Sequence, residues 1–156
     1  MIFVHVFRKQ DKSSAAEPVV GKGVHCLRFE DEAHASRNLK PYLRAHRGLS
    51  AVRVVPGGPL LKVKDVQSYA ALEEDIQSFG RGDSLAGVKP RRSHWSGLRG
   101  DEAGLPALVM RRMGYAGVEA LNGANTFLQG SVIWNGSFEK LAFVRYPRRF
   151  EITLEN

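Results

Sequence analysis

The run Ile2-Phe3-Val4-His5-Val6-Phe7 is apolar at both its odd and its even positions. Successive side chains of a strand point to opposite faces, so a strand of this kind has to be covered on both sides. It belongs in the interior of a sheet, and the rest of the chain must supply neighbouring strands on its edges and packed layers on its faces. With 156 residues, 43% hydrophobic and 25% charged, the chain has material for one such core and none for a second. Residues 1–156 are therefore expected to form a single domain.

The remaining segments read as short elements. Gly21-Lys22-Gly23 opens a second strand over Val24 to Phe29, and the acidic run Glu30-Asp31-Glu32 suits the positive end of a helix. Ala35, Leu39, Tyr42, Leu43 and His46 then recur at helical spacing, with Pro41 predicting a kink or two short helices. Ala51 to Val55 and Leu60 to Val63 read as strands around the turn Pro56-Gly57-Gly58-Pro59. Asp65 or Ser68 can cap a helix that carries Tyr69, Leu72 and Ile76 and stops at Gly80. Residues 80–104, rich in glycine and arginine, are expected to form a long loop serving as a lid or binding segment. Pro106 fits the first turn of a helix ending at Gly114, and Tyr115 to Leu121 reads as a strand. Asn135-Gly136 between Ser131–Trp134 and Ser137–Val144 predicts a type I′ hairpin. Phe150 to Leu154 is a last strand. The tally predicts an α+β domain of about seven short strands and about three helices.

Several chemistries are excluded on sequence alone. No apolar run approaches the roughly 20 residues of a membrane-spanning helix. The first residues lack the charge pattern and cleavage site of a secretory signal, so a cytoplasmic protein, or one delivered without a classical signal peptide, is expected. Cys26 is the one cysteine, which excludes an internal disulfide, and it reads as a buried thiol rather than as a nucleophile beside His25. Histidines at 5, 25, 34, 46 and 94 show no zincin spacing, so no metal is expected. Phosphate-loop, dinucleotide-fingerprint and nucleophile-elbow motifs are missing.

The net charge of +7 favours polyanions. Cations cluster at Lys89, Arg91, Arg92, at Arg111, Arg112, and at Arg145, Arg148, Arg149, with Trp95, Tyr146 and Phe150 interleaved. This pattern suits phosphate contact with base stacking, and it equally suits a solvated basic surface.

Five segments, taken in order, carry a family resemblance. They are Phe7-Arg8 at the end of the first strand, the glycine-started strand Gly21 to Cys26 running into Asp31-Glu32-Ala33, and the step Gly58-Pro59-Leu60 before Asp65. Gly114-Tyr115-Ala116-Gly117-Val118 and Ser131-Val132-Ile133-Trp134-Asn135 complete the series. Over roughly residues 3 to 143 the chain resembles the ADP-ribosyltransferase toxin-like fold, particularly its small phage and bacterial members. That resemblance implies split β-sheets and cleavage of the nicotinamide–ribose bond of NAD, with ADP-ribose passing to a protein or nucleic-acid target.

Under the resemblance Arg8, with His5 in reserve, holds the dinucleotide, His25 shapes the nicotinamide pocket, and Tyr115 belongs to the cofactor side. The family places a glutamate just before the late strand, whereas this chain has Leu128-Gln129-Gly130. Gln129 can hydrogen-bond a ribose hydroxyl but cannot offset positive charge, and Glu119 and Glu139 stand elsewhere. The implied protein is a weak NAD-dependent transferase or a scaffold that has lost activity. The alternatives are a non-enzymatic nucleic-acid-binding domain and a protein-interaction or inhibitor module.

Overall fold

A computed structural model describes residues 1–8, 23–64, 66, 68–98, 105–121, 130–144 and 151–152. Among the described residues eight strands and four helices alternate unevenly, giving the expected α+β class. The strands are β1 (Ile2–Arg8), β2 (Val24–Phe29), β3 (Leu49–Pro56), β4 (Leu60–Lys64), β5 (Gly117–Leu121), β6 (Gly130–Ile133), β7 (Gly136–Glu139) and β8 (Glu151–Ile152). The helices are α1 (Glu32–Ala45), α2 (Tyr69–Gly80), α3 (Arg92–Trp95) and α4 (Leu105–Arg112). The strands form one mixed sheet in the order β4-β5-β6-β2-β1-β3-β7-β8. The doubly apolar β1 lies inside it, between β2 and β3.

The helices cover one face of this sheet. Under α1 lie Ile2, Val4, Phe29, Ala51 and Leu141, with Ala35 and Leu39 of the helix packed onto them. Leu61, Val63, Val118, Ala120 and Val132 of β4, β5 and β6 meet Leu72, Ile76 and Phe79 of α2 and Val109 and Met110 of α4. The opposite face carries Phe3, Val24, Cys26, Val52, Val54, Ile133 and Phe138, all 8% exposed or less. Among the described residues no helix lies on it.

The sheet covers that second face by folding over itself. Between β6 and β7 stand only Trp134 and Asn135, and three peptide steps span at most about 11 Å. In a flat sheet β6 and β7 would be four strand intervals apart, about 19 Å. The strands therefore cannot lie flat, and their common inner face becomes a core between two β layers.

The fold line runs between the first two strands. β1 pairs with β3 along its length, from Phe3↔Val54 to Arg8↔Leu49. Its ladder with β2 ends after Ile2↔Phe29, Phe3↔Arg28 and Val4↔Leu27, while β2 continues against β6 from Leu27↔Gly130 to Val24↔Ile133. Beyond Val4 the two strands part. The carbonyl of His25 loses its ladder neighbour there and accepts instead from Nδ1 of His5 (2.8 Å).

Four local expectations are corrected. Asn135-Gly136 is not a hairpin turn, since β6 pairs with β2 and β5 while β7 pairs with β3 and β8. Neither residue has a positive φ, and Gly136 lacks a side chain because a Cβ would collide with the Val55 carbonyl. α1 runs unbroken through Pro41, its first turn capped by the Asp31 carboxylate on His34 N–H (2.7 Å). The segment after Gly80 is more ordered than a loop, holding a Leu85↔Val88 bridge and α3. The strand expected from Tyr115 begins at Gly117 and that from Phe150 is recorded as β8, so the sheet counts eight strands.

Candidate functional site

A groove on the helix-bearing face runs between α2 and the β2–β6 part of the sheet. α2 starts where Ser68 accepts from Ala71 N–H (3.1 Å), which orients the helix across β6. Its apolar stripe, Leu72, Ile76 and Phe79, enters the core. Beside that stripe Ala70, Glu73, Glu74, Gln77 and Arg81 recur at three- and four-residue steps and line the groove. The opposite wall and floor are His25 of β2, Val132 of β6, Trp134 and Pro106. The groove encloses about 860 Å³.

His25 is the hinge of this arrangement. Its Nε2 lies 3.4 Å from Oε1 of Glu73, joining β2 to α2 across the groove. Both side chains are exposed, 43% and 59%, so the pair contributes under about 1 kcal/mol to stability. Trp134 is 3% exposed and presents an apolar ring at the floor. Gly23, at φ +69, lets the chain pass against that ring, since a Cβ would stand 2.9 Å from Trp134 Nε1.

The sequence-derived candidates fall into separate places. Arg8, exposed at the end of β1, shares the parity of Val4 and Val6 and thus the face of His25, one strand beyond the groove wall. His25 lines the groove. His5 has the opposite parity and points into the space between the β layers, stacked near Phe7 (5.9 Å) and Phe138 (6.4 Å). Burial holds its pKa below the ordinary imidazole value despite the hydrogen bond to His25. Tyr115 is half-buried against the layer under α4 and closes that helix through its N–H to the Met110 carbonyl (2.9 Å).

Glu119 is 7% exposed on the inner face, paired with Arg28 Nε at 2.9 Å. Glu139 is exposed on β7, 3.9 Å from Arg53. Gln129 lies outside the described residues. Cys26, 1% exposed, is packed on the inner face, and burial pushes its thiol far above the ordinary range. Among the described residues no group of His, Cys, Asp and Glu could hold a metal ion, and no helix is long and apolar enough to cross a membrane.

Glu73, Arg81 and Val132 were not singled out by sequence reasoning. The four-residue recurrence of Glu73, Gln77 and Arg81 was readable as a second face of α2, but nothing local says that this face borders a groove. Of the basic clusters, Lys89, Arg91, Arg92, Arg111 and Arg112 are exposed, and Arg145, Arg148 and Arg149 lie outside the described residues. Comparison with protein-family models, with curated proteins and with solved structures finds no match to this chain.

Proposed function

We propose that the chain is an ADP-ribosyltransferase-like domain that takes NAD as its substrate in the groove beside α2. The observation that carries this reading is the groove beside α2 lined by His25 of β2, with Arg8 of β1 on the same face one strand beyond its wall. A groove of about 860 Å³ has the size of a small-molecule site, roughly 300–1,000 Å³. Its lining offers what a dinucleotide needs. Arg81 in the lining and Arg8, on the same face one strand beyond it, are cations for a pyrophosphate, Val132 and Trp134 give an apolar bed for a ring, and His25 and Glu73 offer polar groups to a ribose.

In the implied reaction the bond between ribose C1′ and the nicotinamide nitrogen breaks, and its electron pair stays with the nitrogen. The oxocarbenium-like ribose then takes an acceptor nucleophile, which gives up its proton. A carboxylate near C1′ stabilises that cation electrostatically. Glu73 is a described carboxylate on the groove wall, and it has the placement that Glu119 on the inner face lacks. Gln129, neutral where the resemblance expects a glutamate, makes slow turnover the expectation.

Calorimetric titration with NAD tests binding, and nicotinamide release tests turnover. Arg8→Ala is expected to weaken NAD binding about tenfold, the value of one charge-assisted hydrogen bond. Binding that is unchanged in Arg8→Ala, or no binding by the unaltered protein, overturns the reading. Binding without nicotinamide release assigns the inactive-scaffold form of it.

A further inference from the structure

The fold brings two basic clusters that are remote in sequence onto one surface. Arg112, at the end of α4, donates from its guanidinium to the Ser96 carbonyl, and the Ser96 amide in turn bonds Arg92 O (3.2 Å) one turn back in α3. Arg91 and Lys89 immediately precede Arg92. All four side chains are exposed. Asp83 is the one carboxylate among the described residues between Gly82 and Arg112. Among the described residues the charge there is predominantly positive.

This surface adjoins the groove. The ring of Trp95 in α3 packs over Gly82, where a Cβ would stand 3.0 Å from it, and the preceding residue, Arg81, lines the groove. Pro106, at the other end of α4 from Arg112, also lines it. We propose that the α3–α4 surface is a docking site for the phosphate backbone of a nucleic acid, placing the bound strand at the mouth of the groove. Phosphates match a one-sign array of arginines and lysine, and bidentate guanidinium contacts give such an array its affinity. The half-exposed Trp95 adds a stacking surface beside it.

A second cationic surface allows the specific claim to be separated from bulk charge. Arg37, Lys40, Arg44 and Arg47 lie exposed along and just beyond α1, over the β1–β3 half of the sheet and away from the groove. The experiment is fluorescence anisotropy with a labelled single-stranded DNA of about 20 nucleotides, without NAD, so that it succeeds or fails independently of the NAD reading.

Four phosphate contacts by Lys89, Arg91, Arg92 and Arg112 predict a slope of log K against log salt near −2.8, or about a 50-fold loss of affinity between 50 and 200 mM salt. Arg91→Ala with Arg92→Ala is expected to bring the slope to about −1.4, and the same pair changed to lysine to restore most of it. Arg37→Ala with Arg44→Ala is expected to leave the slope near its original value. Absent binding, a flat salt dependence, or equal losses in the two alanine pairs overturns the proposal.

Discussion

His5 ties acid stability to the point where the sheet parts. Its ring is flanked by Phe7 and Phe138 and donates to the His25 carbonyl at 2.8 Å, and burial depresses its pKa below the ordinary 6.5. At pH 7.5 the imidazole is neutral in both folded and unfolded chains, so its contribution to stability is intact. As pH falls through 6.5 the unfolded chain takes up the proton first, and stability drops by up to about 1.4 kcal/mol per pH unit until the lower folded pKa is reached. His5→Gln keeps a donor for the carbonyl but removes both the titration and the aromatic contacts, which are worth roughly 0.5–1.5 kcal/mol each. The variant is therefore expected to be about 1–3 kcal/mol less stable at pH 7.5. That gap should narrow as the pH falls through 6.5. Urea unfolding at half-unit pH steps measures it. A gap that stays constant over pH 7.5 to 5 refutes the account of His5 as a buried neutral imidazole.

Three further substitutions probe the frame of the site. Glu119→Gln keeps an oxygen acceptor but removes the negative charge facing Arg28 on the inner face, and the uncompensated cation is expected to cost roughly 3 kcal/mol in chemical unfolding; an unchanged midpoint would make the pair a surface ornament. Ser68→Ala removes the cap of α2 and should cost about 1 kcal/mol, read as a shift in the urea midpoint, with a loss below about 0.3 kcal/mol contradicting the cap. Gly136→Ala puts a methyl into the Val55 carbonyl and should cost at least about 1–3 kcal/mol by strand displacement, read in urea unfolding, and an unchanged midpoint would contradict the close approach of the two backbones.

What could be read from the sequence was local. Ile2 to Phe7 announced an interior strand because both of its faces are apolar, and the α2 stripe with Ser68 before it and Gly80 at its end announced a helix. Ser131 to Glu139 was misread because Asn-Gly is informative only when the flanking strands pair with each other. Here each half finds partners at a distance, and the glycine answers a close approach of backbone rather than a turn. Pro41 is tolerated inside α1, which keeps Ala35 and Leu39 against the sheet on one continuous axis. Of the groove lining, His25 was a candidate in the sequence, and the adjacency of β1 and β2 puts Arg8 on the same face, one strand away. Glu73 and Arg81 became site residues only through the docking of α2, which no short-range spacing encodes.

The two-residue passage from Ile133 to Gly136 bears on how the protein can be made. On a ribosome the β2-β1-β3 meander emerges early with both of its outer strands lacking neighbours, and those neighbours, β6 and β7, are translated only after β4, α2, α4 and β5. A nascent chain halted before about residue 140 would present two bare strand borders to any chaperone or sister chain nearby. Maturation then has the character of a late clasp, in which a single short stretch closes both sides of the meander at once.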